Sequence, residues 1–343
     1  MAIKRRSRRR SSGRSGSNTS YLKLSNLALL ATVIVLAAYI LYPGIRSAVT
    51  GRPLGNTTAG IDTQLTPAQL AAINSAPNSY FERAGESLLN LTIPGIQESN
   101  GIYYGQDFET WISNRTILTP LIYNGKPSVI YIGAISCIYC AENRWAMALA
   151  LSRFGRFGAL YNGYSSIGDG DVPTLYWSAD NYTTSGGATF GNSYTSNYVN
   201  FFSAEYDSPI KSGFQFPQQQ NPIAYFVVRA PNQSYATAMA LMNMTGAFQG
   251  TPFTFWGSVL NTGVDAVVFG IPNSTPSSTH PPLTYMSHAQ ILGELGAYNS
   301  TFAQEEYAAA DVYVAELCPS LNNAAPACRL PAITAMEQRM GLG

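Results

Sequence analysis

The hydrophobic pattern opens with an apolar run from Leu22 to Tyr42, interrupted only by Lys23, Ser25, Asn26 and Thr32. About 20 such residues match the hydrocarbon thickness of a bilayer. Tyr39 and Tyr42 stand where an interfacial aromatic belt belongs, and Pro43-Gly44 ends the run. No Ala-x-Ala-like cleavage site follows it, so the pattern predicts an uncleaved single transmembrane helix over residues 22–42. Residues 1–21 have no apolar periodicity and carry Lys4, Arg5, Arg6, Arg8, Arg9, Arg10 and Arg14. Basic charge beside a membrane segment places that tail in the cytoplasm, against anionic lipid, and the bulk of the chain outside.

Residues 43–65 are rich in Gly, Pro and Thr and read as a linker. The pattern that follows, residues 66–343, predicts an α/β domain with a helical C-terminal region. Thr66-Pro67-Ala68-Gln69 opens a short helix with an N-cap and proline at the first turn. A second amphipathic helix spans Asn78 to Asn90. Aromatic and β-branched residues mark strands or extended arms over 159–166, 169–177, 194–205, 224–229, 251–256 and 266–271. A helix is expected over 235–242, and two more over 287–295 and 302–317.

The centre of this pattern lies between two of those regions. After an Asn124-Gly125 turn signal, Pro127 to Gly133 (PSVIYIG) is a continuous apolar run and predicts a strand buried on both faces. Residues 141–154 are mostly good helix formers with few polar positions, closed by Gly155, and predict a helix buried nearly all round. Between them stand Cys137-Ile138-Tyr139-Cys140. This order puts the first sulfur at a helix N-terminus, where unpaired N–H groups and the helix dipole favour a thiolate, and the second one turn inside. Cys137 is then the exposed nucleophile and Cys140 the buried resolving thiol of a reversible Cys137–Cys140 disulfide. A static disulfide and half of a zinc site with Cys318 and Cys328 are the competing readings. Arg144, one turn beyond Cys140, is either an aid to the thiolate or a solvated or salt-bridged residue. Trp145 reads as core.

Charged residues make up only 11% of the chain and tyrosine alone contributes 22 residues, so the surface must be covered mostly by uncharged polar groups. The net charge of +1 hides an asymmetry: after Lys23, twelve basic residues face nineteen acidic ones, a balance of −7. A folded part with that balance is a poor nucleic-acid binder. Four cysteines in two pairs suit an oxidising compartment. Cys318 and Cys328 flank a Pro- and Asn-rich loop at a distance that suits a local disulfide, and a shuttle pair is the alternative. Eight Asn-x-Ser/Thr sequons follow the apolar run, at Asn56, Asn90, Asn114, Asn181, Asn232, Asn243, Asn273 and Asn299, and favour a glycosylated exterior. His280 and His288 are the two histidines and no phosphate-binding glycine loop is present, so no histidine-based metal site, hydrolytic triad or cofactor is expected.

Several stretches together resemble an archaeal, membrane-anchored, thioredoxin-like family that carries the domain of unknown function 929. They are Asn124 to Pro127, Tyr131 to Gly133, Cys137 to Gly155 (CIYCAENRWAMALALSRFG), Tyr164 to Ser166, Asp171 to Thr174, Ser193 to Glu205, Thr251 to Phe253 and the Cys318/Cys328 pair. Ile138 stands where the family usually has proline. The resemblance implies a thioredoxin-like fold with insertions, outside the cell. In such folds a cis-proline opposite the dithiol opens a strand and leaves a backbone edge for the substrate. Pro252 fits that role, and Pro222 competes for it.

The expected function is that of a membrane-anchored extracytoplasmic thiol–disulfide oxidoreductase. Its partners would be protein thiols or disulfides of secreted or envelope proteins, with a membrane redox protein as candidate for recycling the site. The alternative is a non-enzymatic envelope subunit of the same fold whose disulfides are inert staples. The family has no assigned activity, so the resemblance supplies neither substrate nor direction of electron flow.

Overall fold

The computed structural model describes residues 60–93, 116–134, 137–165, 172–177, 189–190, 192–205, 252–262 and 286–343. The expected membrane span, and the elements expected over 224–229, 235–242 and 266–271, lie outside these residues. Among the described residues no helix is long and apolar enough to cross a membrane.

Strand β4 (Lys126–Gly133) is the spine. Its entry is the predicted hairpin: Asn124 and Gly125 both adopt positive φ and join β3 (Ile122–Tyr123) to β4. Ser128, Val129 and Tyr131 are wholly buried, in accord with a strand covered on both faces. Along one edge β4 pairs in parallel with β10 (Asn200–Glu205), with Val129 opposite Phe201. Along the other it pairs antiparallel with β11 (Phe253–Trp256), with Ile132 opposite Phe253. The sheet continues from β11 through β12 (Val259–Thr262) to β2 (Thr116–Ile117), and from β10 to β8 (Thr189–Phe190).

Among the described residues, six α-helices accompany the strands. Helix α1 (Pro67–Asn74) begins with a capping box: Thr66 Oγ1 accepts from Gln69 N, and Gln69 Oε1 accepts from Thr66 N. Helix α2 is Asn78–Leu89 and α3 is Ile138–Ser152. Helix α4 (His288–Ala297) repeats the capping box with Ser287 and Gln290, and Ser300 caps α5 (Thr301–Leu317). Helix α6 (Pro331–Arg339), which the sequence pattern did not single out, begins with proline at its first turn. Helix α3 packs against α5, α1 and the strand β7 (Pro173–Tyr176), and α5 also packs against α2, α6 and β11.

Between α3 and β10 the chain inserts short pieces. Gly155, read as a helix terminator, begins β5 (Gly155–Phe157), which pairs with β9 (Tyr194–Ser196). The run expected over 194–205 is thus two strands, β9 and β10, in different sheets. Strand β6 (Tyr161–Tyr164) pairs with β7 and with β1 (Gly60–Gln64), which lies within the stretch read as linker. Aromatic rings fill the core: Phe157 stacks on Trp177 at 5.6 Å, and Trp256 on Tyr313 at 4.7 Å.

The Tyr131 side chain lies along its own strand over Gly133, where an added Cβ would overlap the ring. Gly133→Ala therefore forces that ring out of place, at a cost of about 1–3 kcal/mol. A thermal-unfolding midpoint equal to that of the unmodified chain would contradict this.

Candidate functional site

The dithiol stands where β4 gives way to α3. Cys137 has extended backbone (φ −74°, ψ 129°) and occupies the N-cap of α3, a place commonly taken by Ser, Thr, Asp or Asn. Its sulfur accepts from Cys140 N at 3.4 Å. Its own N–H donates to the Ala134 carbonyl at 3.3 Å. Cys140 lies one turn inside, wholly buried, and its sulfur accepts from Ala134 N at 3.4 Å. Both cysteines are present as thiols, and Cys137 is partly exposed. An exposed sulfur at a helix N-terminus with a second, sheltered sulfur behind it can carry out stepwise thiol–disulfide exchange.

The helix behind the thiols has no solvent face: every residue from Cys140 to Ser152 is buried. Trp145 is core, as its apolar surroundings predict, and its Nε1 donates to the Pro173 carbonyl at 3.1 Å. Arg144 is likewise wholly buried, so the solvated reading of that residue does not hold. Its Nη2 donates to the Ala134 carbonyl at 3.1 Å and its guanidinium lies 4.6 Å from the centre of the Tyr176 ring. Ile138 and Tyr139, between the cysteines, are partly exposed.

Pro252 is buried and directly precedes Phe253, whose partner Ile132 lies at the end of β4 that leads to the cysteines. The register thus sets Pro252 beside the end of the strand that carries the dithiol. Pro222 lies outside the described residues. Cys318 and Cys328 are joined in a disulfide with Cα atoms 5.5 Å apart, just beyond the C-terminus of α5. With these two sulfurs joined to each other, the four-cysteine zinc arrangement is not formed. No group of three or more candidate metal ligands occurs among the described residues.

A cluster that the sequence pattern did not reveal lies between α3 and α5. Glu142 is buried, and neither of its carboxyl oxygens has a hydrogen-bond partner among the described residues. Burial raises its pKa well above the usual carboxyl range, and Glu306 and Glu305 add to the rise. Glu306 is raised in the same way, by burial and then by Glu305. The signal was faint: Glu142, Asn143 and Arg144 are consecutive polar residues in a largely apolar helix, with nothing local to show which element covers them.

A carboxyl whose pKa rises on folding holds its proton more tightly in the folded chain than in the unfolded one. Its favourable contribution is complete below the ordinary value of about 4.3 and is lost as pH climbs toward the raised one. The melting temperature should therefore fall as pH is raised from about 5 to about 7. Glu142→Gln, which removes the proton equilibrium, should flatten that slope; an identical slope in both proteins would rule out this account.

Residues 114–244 match the model of a family described as a domain of unknown function (DUF929), a stretch that contains β4, both thiols and α3. Comparison with curated proteins and with solved structures finds no match. The segment that carries the dithiol thus resembles a family defined by sequence and not by an activity.

Proposed function

We propose that the chain is a thiol–disulfide oxidoreductase, anchored by its N-terminal apolar run, with the dithiol domain outside the cytoplasm acting on secreted or envelope proteins. The observation that carries this reading is the placement of Cys137, partly exposed at the N-cap of α3, in front of buried Cys140. The strand order around β4 supports a thioredoxin-like fold with insertions. There is a parallel neighbour after the dithiol helix, then an antiparallel β11–β12 pair, with Pro252 at the entry to β11. A proline there has no N–H to give to a neighbour and suits a docking edge for an extended peptide.

In the reducing direction, the Cys137 thiolate attacks one sulfur of a substrate disulfide. A Cys137–substrate disulfide forms and the other substrate sulfur leaves as a thiolate that takes a proton from water. Cys140 then gives up its proton and attacks Cys137 Sγ. The Cys137–Cys140 disulfide forms, the second substrate thiolate leaves, and two electrons have passed to the substrate. The oxidising direction is the same path reversed.

Cys137→Ser should abolish exchange with a model protein disulfide, and Cys140→Ser should accumulate mixed disulfides separable on a non-reducing gel. Wild-type exchange rates in Cys137→Ser would refute the mechanism. Equilibration of the full chain with a dithiothreitol buffer decides between this reading and the inert envelope subunit. A working dithiol is reduced at potentials above about −300 mV, and a structural staple resists reduction to below that value.

A further inference from the structure

The resolving step sets a problem that the helix N-terminus does not solve. Cys140 has no exposed surface, and burial in a low-dielectric surrounding disfavours a thiolate. Yet Cys140 must become a thiolate to attack the mixed disulfide. Its sulfur accepts from Ala134 N at 3.4 Å. The same residue's carbonyl accepts from Cys137 N at 3.3 Å and from Arg144 Nη2 at 3.1 Å. Ala134 thus links both cysteines to the buried Arg144 guanidinium.

That cation is itself fixed. Arg144 Nη1 donates to Thr174 Oγ1 at 3.4 Å, and Thr174 Oγ1 donates onward to the Ala141 carbonyl at 2.8 Å. The guanidinium lies over the Tyr176 ring at 4.6 Å and near the Tyr131 ring at 5.6 Å. Strand β7, an insertion between α3 and β10, therefore anchors the guanidinium. We infer that Arg144 is the positioning residue of the resolving step: it holds Ala134 against the Cys140 sulfur and supplies the positive charge that favours the thiolate there. The inference rests on the thiol–disulfide reading and adds to it the group that activates the second sulfur.

Among the described residues, the acids packed against the helix act on one another. Glu305 and Glu306 of α5 act on Glu142, and burial holds Glu142 and Glu306 toward the uncharged acid. On the opposite side stand Tyr131 of β4, Tyr176 of β7 and His288 of α4, whose Nε2 lies 3.1 Å from the Thr174 carbonyl. Strand β5 contributes exposed Arg156, and α1 contains no ionisable side chain.

The test uses the full chain in detergent and an aromatic disulfide whose released thiolate is coloured. The first equivalent reports attack by Cys137 and depends on reagent concentration. The second reports attack by Cys140 on the mixed disulfide and does not. In Arg144→Gln, which keeps hydrogen-bond donors but removes the charge, the first phase should be unchanged. The second should slow about tenfold at neutral pH, as for a one-unit displacement of its pH profile, and recover at alkaline pH. Arg144→Lys, which keeps the charge, should follow the wild-type profile. It carries the test if the Gln variant does not fold, since a Lys profile displaced upward contradicts the electrostatic role. Identical second-phase profiles in wild type and Arg144→Gln, or equal slowing at every pH, would overturn the assignment while leaving the exchange mechanism standing. A wild-type chain that releases no first equivalent would instead overturn the exchange mechanism, and the role of Arg144 with it.

Discussion

A helix with no solvent face imposes the main constraint on this molecule. Each residue of α3 from Cys140 to Ser152 is buried, so the chain must supply cover on every side. It does so with β7, α1, β5 and, most extensively, α5. What remains open is the first turn, where Cys137, Ile138 and Tyr139 are partly exposed. Burial of the helix and accessibility of its leading sulfur are thus one arrangement: the apolar body fixes the position from which a single polar end reaches solvent.

That arrangement also explains how a cation and an acid two residues apart coexist without pairing. Residues i and i+2 of a helix are separated by about 200° around its axis and face different neighbours. Glu142 turns toward α5, where other acids raise its proton affinity. Arg144 turns toward the Ala134 carbonyl and the Tyr176 ring. The helix divides the interior into an acidic seam, where burial pushes Glu142 and Glu306 toward the uncharged form, and a cationic pocket beside the sulfurs. Charges are costly to bury, and each side reduces the cost differently: protonation on one, hydrogen bonds and aromatic faces on the other.

Much of this was legible in the chain. The Asn124-Gly125 turn, the apolar run behind it and the helix formers after Cys140 predicted β4 and α3, and the Thr66 cap marks a real helix start. Helix α6 carried a readable sign, Pro331 at its first turn with Ala332, Ile333 and Met336 on a buried face, which the more prominent helices overshadowed. Strand β5 and the break that divides 194–205 into β9 and β10 were not legible, because three-residue segments with Gly, Thr and Ser have no period to read and gain their structure from tertiary pairing. The buried state of Glu142 depends on a helix that begins at Thr301, far along the chain, so no local pattern could reveal it. Arg144 was visible as a residue but not as a buried one, since β7, which covers it, is part of an insertion of short strands.

The strand order has a further consequence, for how the chain reaches this state. Val129 of β4 meets Phe201, 72 positions later, on one edge and Trp256, 127 positions later, on the other. Both closures enclose long loops, and conformational freedom must be surrendered before either contact returns any stabilisation. The hairpin from β3 and the capped helices can form from neighbouring residues alone, whereas the central strand waits with two bare edges until distant segments arrive. A chain built in this order is most exposed to self-association while it is only partly assembled, at the stage when the sulfurs of Cys137 and Cys140 are also least sheltered.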